Sequence, residues 1–387
     1  MDYSEYPSHR LMLRDVPRTE AFLQAIGAVV KPGDIVLDVG AGTGILSLFA
    51  AKAGAARVYA IERTRVAAMA AYLAQINGMS ERVQILQGDV RSIRLPEKVD
   101  VIVSEWMGSI GVDENMLGAV LWARDHLLKP GGHLIPMTVT AWMAPVATDL
   151  RPDTRFFLER PYDLDLSPLA EPSIHELLMI RRRISPINLA APAQKLWISE
   201  VASDPPTSVS QPYHAELRFS LKKAAKVSAL AAWFTSDLAA GVHLSNAPDA
   251  PDTHWGQLML PLDSELTLKS GDLLDVTVTA ISVGPGPLQF VWSARVNDGL
   301  WQQHDTRGWG MAGAVESAAP EQPRSKRSTL SSFLADLAMN PDLLSAFLTD
   351  PEQLMAARHV PSDQQTALKS RDPYRIQEAL YETGHSS

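Results

Sequence analysis

Glu105 and Glu114 stand nine positions apart in the stretch SEWMGSIGVDENM, with Gly108 and Gly111 between them. Glycines let a chain fold back on itself, so both acids can face one point. An apolar run, Val99–Val103, precedes them and reads as the end of a buried strand. Two carboxylates at the C-terminal edge of a parallel sheet suit a planar cation, because a guanidinium presents a fork of donors that matches carboxylate geometry. An acidic surface loop that happens to contain two glutamates is the competing reading of this stretch alone.

The elements around the loop predict a parallel sheet. Asp34–Val39 reads as a buried strand, Gly40-Ala41-Gly42-Thr43-Gly44 as a glycine-rich turn, and Ile45–Ala53 as a helix ended by Gly54. A strand over Arg57–Ile61 ends at Glu62, followed by an Ala-rich helix over 64–76, a strand near Val83–Leu86 and the turn Gly88-Asp89. A helix around Met116–Leu128 closes at Lys129-Pro130-Gly131-Gly132, and a further strand begins at His133. Alternating strands and helices imply an α/β fold with both sheet faces covered. Leu11–Leu13 and Ala21-Phe22, with Pro17 between them, predict one or two short helices at the start.

Beyond about residue 138 the pattern changes to alternating apolar and polar segments, as in Ala215–Ser220, Leu230–Phe234, Asp275–Ala280 and Leu288–Val296. Gly284-Pro285-Gly286-Pro287 predicts a hairpin between the last two. This is an antiparallel, barrel-like domain ending near Trp301, with residues 171–184 read as a helical excursion and Arg181–Arg183 as a solvated face. A Gly-, Ala-, Ser- and Pro-rich linker spans 303–328, and a helical domain spans 329–387. There, Asn340-Pro341, Asp350-Pro351 and Asp372-Pro373 each place a capping residue before a first-turn proline. Leu330, Phe333, Leu334 and Leu337 form an apolar stripe.

Composition narrows the chemistry. The 387 residues include no cysteine, which excludes disulfides, thiolate catalysis and cysteine metal sites. A formal charge of −9 argues against general nucleic-acid binding and suits a cationic partner. No apolar stretch reaches membrane-span length, and the polar start MDYSEYPSHR has no signal-peptide pattern, so a soluble cytoplasmic protein is expected.

The glycine turn lies between a strand and a helix, with an acid, Glu62, ending the next strand about twenty residues on. The third glycine comes one residue early for a dinucleotide site, since position 45 is Ile; the motif resembles S-adenosylmethionine sites instead. Together these pieces resemble the protein arginine N-methyltransferases. The resemblance runs from about residue 9 to 302 and rests on HRLMLRDVPRTEAF at 9–22, VLDVGAGTGIL at 36–46, the double-glutamate loop at 104–114 and Asp252-Thr253-His254-Trp255.

That resemblance implies a Rossmann-like cofactor domain over 1–137 with its N-terminal helices, then a β-barrel substrate domain over 138–302. A helical dimerisation arm would lie at about 156–185, giving a homodimer. It implies S-adenosyl-L-methionine as cofactor. Arg18 would pair with its methionine carboxylate, Glu62 with its ribose hydroxyls, and Val90 with adenine; Asp38 and Gly40 would lie under it. His9, Gly42, Gly44 and Asp89 complete the implied cofactor set. Glu105 and Glu114 would hold the guanidinium of an arginine in a protein or peptide. His254 would approach Asp15 as a supporting pair, with Met12, Met107 and Trp255 lining the substrate pocket.

Departures are visible too. Arg91 stands where an adenine-contacting glutamate is common, Ser109 replaces a frequent aromatic residue, and Gly256 follows Thr-His-Trp in place of the usual lysine. Tyr3 and Tyr6 are a reduced form of the aromatic motif before His9. The C-terminal run FLADLAMNPDLLSAFLTDPEQLMAA resembles the small helical subunit of protocatechuate ring-opening dioxygenases and reads as a peptide- or protein-docking module. The linker arginines Arg307, Arg324 and Arg327 are candidates for self-methylation. Methylation of free arginine or a guanidino metabolite, and a non-catalytic scaffold, are the alternative functions.

Overall fold

The computed structural model describes residues 6–147, 152–170, 178–180, 184–282 and 286–306, and in the C-terminal part 333, 337, 347, 349–358 and 360–370. Two helices, α1 (Tyr6–Arg14) and α2 (Val16–Val29), lead into β1 (Ile35–Val39), α3 (Ile45–Ala53), β2 (Arg57–Glu62), α4 (Ala67–Ile76), β3 (Val83–Gln87), β4 (Val99–Val103), α5 (Leu117–Leu127) and β5 (Leu128–Ile135). The five strands form a parallel sheet in the order β3-β2-β1-β4-β5. Its central strands are buried on both faces, as expected of a sheet covered by helices: Val36, Leu37, Val58, Ala60, Val101, Ile102 and Val103 are all inaccessible. Strand order reverses between β1 and β4, and a parallel sheet opens its ligand crevice at such a point, beyond the C-terminal strand ends. The Ser104 hydroxyl donates to Val39 O at 2.6 Å and so holds the ends of β4 and β1 together there.

Two antiparallel sheets follow, with helix α6 (Pro152–Leu158) between their first two strands in the chain. Strands β6 (Thr138–Val146), β7 (Leu178–Ile180), β8 (Gln194–Glu200), β10 (Ala225–Ala239) and β12 (Gln257–Leu268) lie in the order β7-β12-β10-β6-β8, with β11 (Val242–Ser245) on β10. Strands β9 (Tyr213–Ser220), β13 (Leu273–Ile281), β14 (Gln289–Val296) and β15 (Gln302–Asp305) form the order β15-β14-β13-β9. The Trp292 indole, fully buried, donates to Pro261 O at 2.8 Å and links the two sheets.

Three expectations change. The helical excursion over 171–184 contains strand β7, whose backbone pairs with Gln257, Leu258 and Met259; the open edge of β12 offers a ladder that local helical periodicity does not register. The antiparallel region does not end at Trp301, because β15 pairs with β14 up to Asp305, inside the expected linker. The fifth strand starts at Leu128, five residues before His133, with a bulge opposite Asp100 that accommodates Lys129–Gly132. Arg181–Arg183, Leu330, Leu334, Asn340, Asp372 and the linker arginines lie outside the described residues.

In the C-terminal part, Asp350 caps α7 (Pro351–Ala357) by accepting from Gln353 N at 3.0 Å, as its sequence predicts. Phe333 and Leu337 pack with Met355 and Val360, and α8 (Ser362–Ser370) adds the ion pair Lys369–Glu352. No helix among the described residues is long and apolar enough to cross a membrane, and no group of three or more His, Cys, Asp or Glu there can hold a metal ion.

Candidate active site

A cavity of about 240 Å³ opens at the crevice between β1 and β4. Its lining includes His9, Met12, Arg18, Gly40, Gly42, Glu62, Asp89, Val90, Glu105 and Glu114, so ten of the sixteen residues expected in the site share one space. Asp15, Asp38, Gly44, Met107, His254 and Trp255 are not in that lining.

The floor comes from the glycine turn. Gly40 and Ala41 both donate to Ile61 O at 2.9 Å, which folds the turn back over the end of β2. Gly40 has φ +74°, and a Cβ there would come within 3.0 Å of Met116 Cε; one on Gly42 would lie 2.9 Å from the His9 ring. Glu62 accepts from Gly42 N at 2.9 Å and from Thr64 N at 2.7 Å, one backbone donor on each carboxylate oxygen. Each oxygen retains accepting capacity for a ligand hydroxyl.

Under the turn, Asp38 is completely buried and takes 2.6 Å from the Ser47 hydroxyl, while its Oδ1 has no hydrogen-bond partner. Burial raises its pKa to about 7; the Ser47 hydrogen bonds oppose this, the Glu62 charge adds to it, and Arg18 opposes it.

The wall comes from α2 and the double-glutamate loop. Arg18 is buried and donates from Nε at 3.1 Å and Nη2 at 2.8 Å to Glu105 Oε2. Its Nη1 is buried with no partner. Glu105 Oε1 accepts from Met107 N at 2.9 Å, so both of its oxygens are held. Beyond Met107 the loop closes as a tight turn in which Gly108 and Gly111 exchange backbone hydrogen bonds at 3.0 and 3.2 Å. Asp113 caps this turn, accepting from Ser109 N and Ile110 N at 3.0 Å each. Burial pushes its carboxyl above the usual range against those donors. The chain thereby reverses and returns Glu114 to the cavity that Glu105 lines.

Asp15 does two jobs at the start of α2. Its Oδ1 accepts from Arg18 N at 3.1 Å as the helix N-cap, and its Oδ2 accepts from His254 N at 2.8 Å and bonds the His254 ring at 2.7 Å. Burial works against ionisation at Asp15, but the His254 side-chain and backbone bonds and Arg18 N outweigh it and hold the carboxyl below its usual range. The helix-cap reading and the His254-pair reading of Asp15 are therefore both satisfied. Trp255, next to His254, donates from its indole to Met107 O at 2.7 Å, and that bond fixes the base of the double-glutamate loop.

Sequence reasoning missed Asp113 and Asn246. Asp113 sits beside Glu114 and hides within the acidic DEN cluster. Asn246 donates to Gly256 O ten positions on and to Ser109 O across 137 positions of sequence, a long-range link that no local signal announces.

Comparison with known proteins identifies this arrangement. Residues 15–135 match the family model of ribosomal protein L11 methyltransferase (PrmA), and residues 140–283 match the arginine methyltransferase oligomerization subdomain. Protein arginine N-methyltransferase 6 of Xenopus laevis is 34% identical over 312 residues, covering 77% of this chain and 91% of its own length. Protein arginine N-methyltransferase 1.1 of Arabidopsis thaliana is 34% identical over 284 residues, 72% of each chain. Among solved structures, the Trypanosoma brucei PRMT1 enzyme–prozyme heterotetrameric complex with AdoHcy superposes with a TM-score of 0.72 at 29% identity, over 79% of this chain and 100% of that one. Arabidopsis thaliana protein arginine methyltransferase 10 superposes at 0.68, with 25% identity over 78% and 98%. The fold, the crevice and relatives matched over most of their length lead to one assignment: the chain belongs to the protein arginine N-methyltransferase family and is an S-adenosylmethionine-dependent methyltransferase.

Proposed function

We propose that the enzyme methylates a guanidinium nitrogen of arginine in a protein or peptide, with Glu105 and Glu114 clamping the substrate. The observation that carries this reading is that both glutamates and the half-paired guanidinium of Arg18 line one cavity at the sheet's switch point.

The residues present fit S-adenosylmethionine. The bare Arg18 Nη1 suits its carboxylate, Glu62 its ribose hydroxyls, and the buried Val90 side chain its adenine face, while the missing Cβ atoms of Gly40 and Gly42 leave room beside Met116 and His9 respectively. Bound there, the cofactor supplies an electrophilic methyl carbon on a sulfonium sulfur.

Guanidinium is protonated at neutral pH and its lone pairs are delocalised, so it is a poor nucleophile. Two carboxylates draw the positive charge toward the nitrogens they hold and leave the third oriented for in-line attack. With the cofactor bound, transfer would release it as the neutral thioether, and the one proton the methylated guanidinium gives up would pass through a clamping carboxylate to solvent. Positioning of this kind supplies about 7–11 kcal/mol in favourable cases. Lysine lacks the fork that two carboxylates engage, so arginine is the selected side chain.

We also propose a homodimer, supported by the oligomerization-subdomain match and by exposed apolar side chains at Phe156, Leu158, Tyr162 and Leu164 in the expected arm. The division near residues 137 and 306, with a separate C-terminal helical docking module, belongs to the same reading.

The test is transfer of a labelled methyl group from S-adenosylmethionine to arginine-rich peptides and to free arginine, followed by amino-acid analysis. Methylarginine in the peptide is expected. Glu114→Gln should lower turnover about a hundredfold or more, the scale on which a misplaced reacting group costs rate, with cofactor affinity within about twofold. Label on free arginine alone, or equal loss of turnover and cofactor binding in the variant, would overturn the proposal.

A further inference from the structure

Asn246 has no acidic, basic or nucleophilic chemistry and stands at the end of β11, yet it is almost wholly buried and every polar group of its side chain is used. Its Oδ1 accepts from Phe234 N at 2.7 Å, which fixes the amide's orientation; its Nδ2 donates to Ser109 O at 2.8 Å and to Gly256 O at 2.5 Å. Its backbone carbonyl accepts from Gln257 Nε2 at 2.6 Å. The two carbonyls it bridges belong to Ser109 and Gly256, the two positions near the substrate side where the sequence departs from the pattern it otherwise resembles. Ser109 completes the knot: its hydroxyl donates to Trp255 O at 3.1 Å, and its N–H goes to Asp113.

We infer that Asn246 is a positioning residue for methyl transfer, acting through Ser109 to set the double-glutamate loop against the 254–256 loop. Glu105 and Glu114 bracket the turn at 108–111, so a shift of Ser109 changes their separation and aim. Asp113 holds that turn from inside, while Asn246, Ser109 Oγ and the Trp255 indole tie its near side to the 246–256 segment; Leu288 N on Asp113 O and Asn115 Nδ2 on Ser282 Oγ anchor the returning arm separately. A bidentate clamp tolerates little error: displacement by about 1 Å at the reacting centre costs on the order of a hundredfold in rate. Gly256 fits the same scheme, because its φ of +58° turns its carbonyl toward the Asn246 amide in a conformation a lysine adopts only with strain. The cavity lined by Arg18 and Glu62 includes none of Asn246, Ser109 or Gly256.

The inference rests on the two-glutamate reading, and Glu114→Gln in the same assay separates the two failures: turnover retained there sinks the clamp itself. Asn246→Asp keeps the shape and the acceptor for Phe234 N while removing both donors. Peptide kcat/KM is expected to fall about ten- to a hundredfold, with S-adenosylmethionine Kd within about twofold. Ser109→Ala deletes the hydroxyl bond to Trp255 O but leaves the carbonyl that Asn246 holds, so it should give a smaller loss of the same kind; Asn246→Ser, which shortens the side chain and removes both amide donors without adding a charge, decides the matter if Asn246→Asp does not fold. Unchanged peptide kcat/KM in the soluble variants, with only a lower melting temperature, would make Asn246 a mere stabiliser and overturn the inference. A parallel loss of cofactor affinity would overturn it equally.

Discussion

Arg18 places two guanidinium donors on a single oxygen of Glu105, at 2.8 and 3.1 Å, across 87 positions of sequence. The enzyme's own arginine thus rests on one of the acids we propose for the substrate's arginine. Both side chains are more than nine-tenths buried, so the pair is shielded from solvent and from salt. Both oxygens of Glu105 are held before any substrate arrives, and the Nη1 left over is available to a partner of opposite charge without moving the rest.

Arg18→Lys keeps the charge and loses the fork. A lysine ammonium cannot serve Glu105 from two directions and still present a third donor in the same plane. Cofactor affinity should weaken about tenfold or more, corresponding to about 1.5–3 kcal/mol for one charge-assisted hydrogen bond. Isothermal titration of S-adenosylmethionine against the variant measures it; unchanged affinity would remove Arg18 from the cofactor's carboxylate.

The Asp15–His254 pair makes stability depend on acid. Asp15 titrates below its ordinary value of 3.8 in the folded protein, so the pair's contribution is complete above that value and is lost as the pH falls through the lower, folded one. Asp15→Asn keeps an oxygen for the N-cap but faces the two His254 donors with an amide. The variant should be less stable than the parent by about 1.5–3 kcal/mol at pH 7, with the difference shrinking below pH 3.8. Urea unfolding at several pH values tests this, and a difference independent of pH would refute it.

Asp38 works in the opposite direction. Its folded carboxyl keeps a proton up to about pH 7 that the unfolded chain gives up near 3.8, so stability falls as pH rises between those values and is level above them. Asp38→Asn, which keeps an acceptor for Ser47, should match the parent near pH 4 and exceed it at pH 8 by on the order of a few kcal/mol. Parallel denaturation curves at the two pH values settle the sign.

The parallel sheet was legible because its signals are local: apolar strand runs, glycine turns and helix caps each lie within a few residues of what they control. The same holds for Glu62, reached from the glycine turn by one helix and one strand. Strand β7 was not legible, because three residues without strong alternation become a strand only when the edge of β12 is present to pair with them. Asn246 and the Arg18–Glu105 pair were invisible for a related reason: each is a meeting of segments that are distant in sequence, set by how the sheets and α2 pack.

Two glycines make opposite predictions from the same substitution. A Cβ on Gly108 would lie 2.3 Å from Asp113 Oδ1 and 2.4 Å from its carboxyl carbon, a contact no small shift relieves, since Asp113 is itself pinned by Ser109 N and Ile110 N. Gly108→Ala must displace that carboxylate and strand two buried donors, each costing about 1–3 kcal/mol, and it loosens the turn that aims Glu114. Gly27, inside α2, has nothing within 4 Å of its Cβ position. Gly27→Ala should therefore gain up to about 1 kcal/mol through helix propensity and leave peptide turnover unchanged. Thermal melts paired with peptide kcat/KM distinguish the two positions. If Gly108→Ala retained both stability and turnover, the Asp113 cap would have no part in holding the loop.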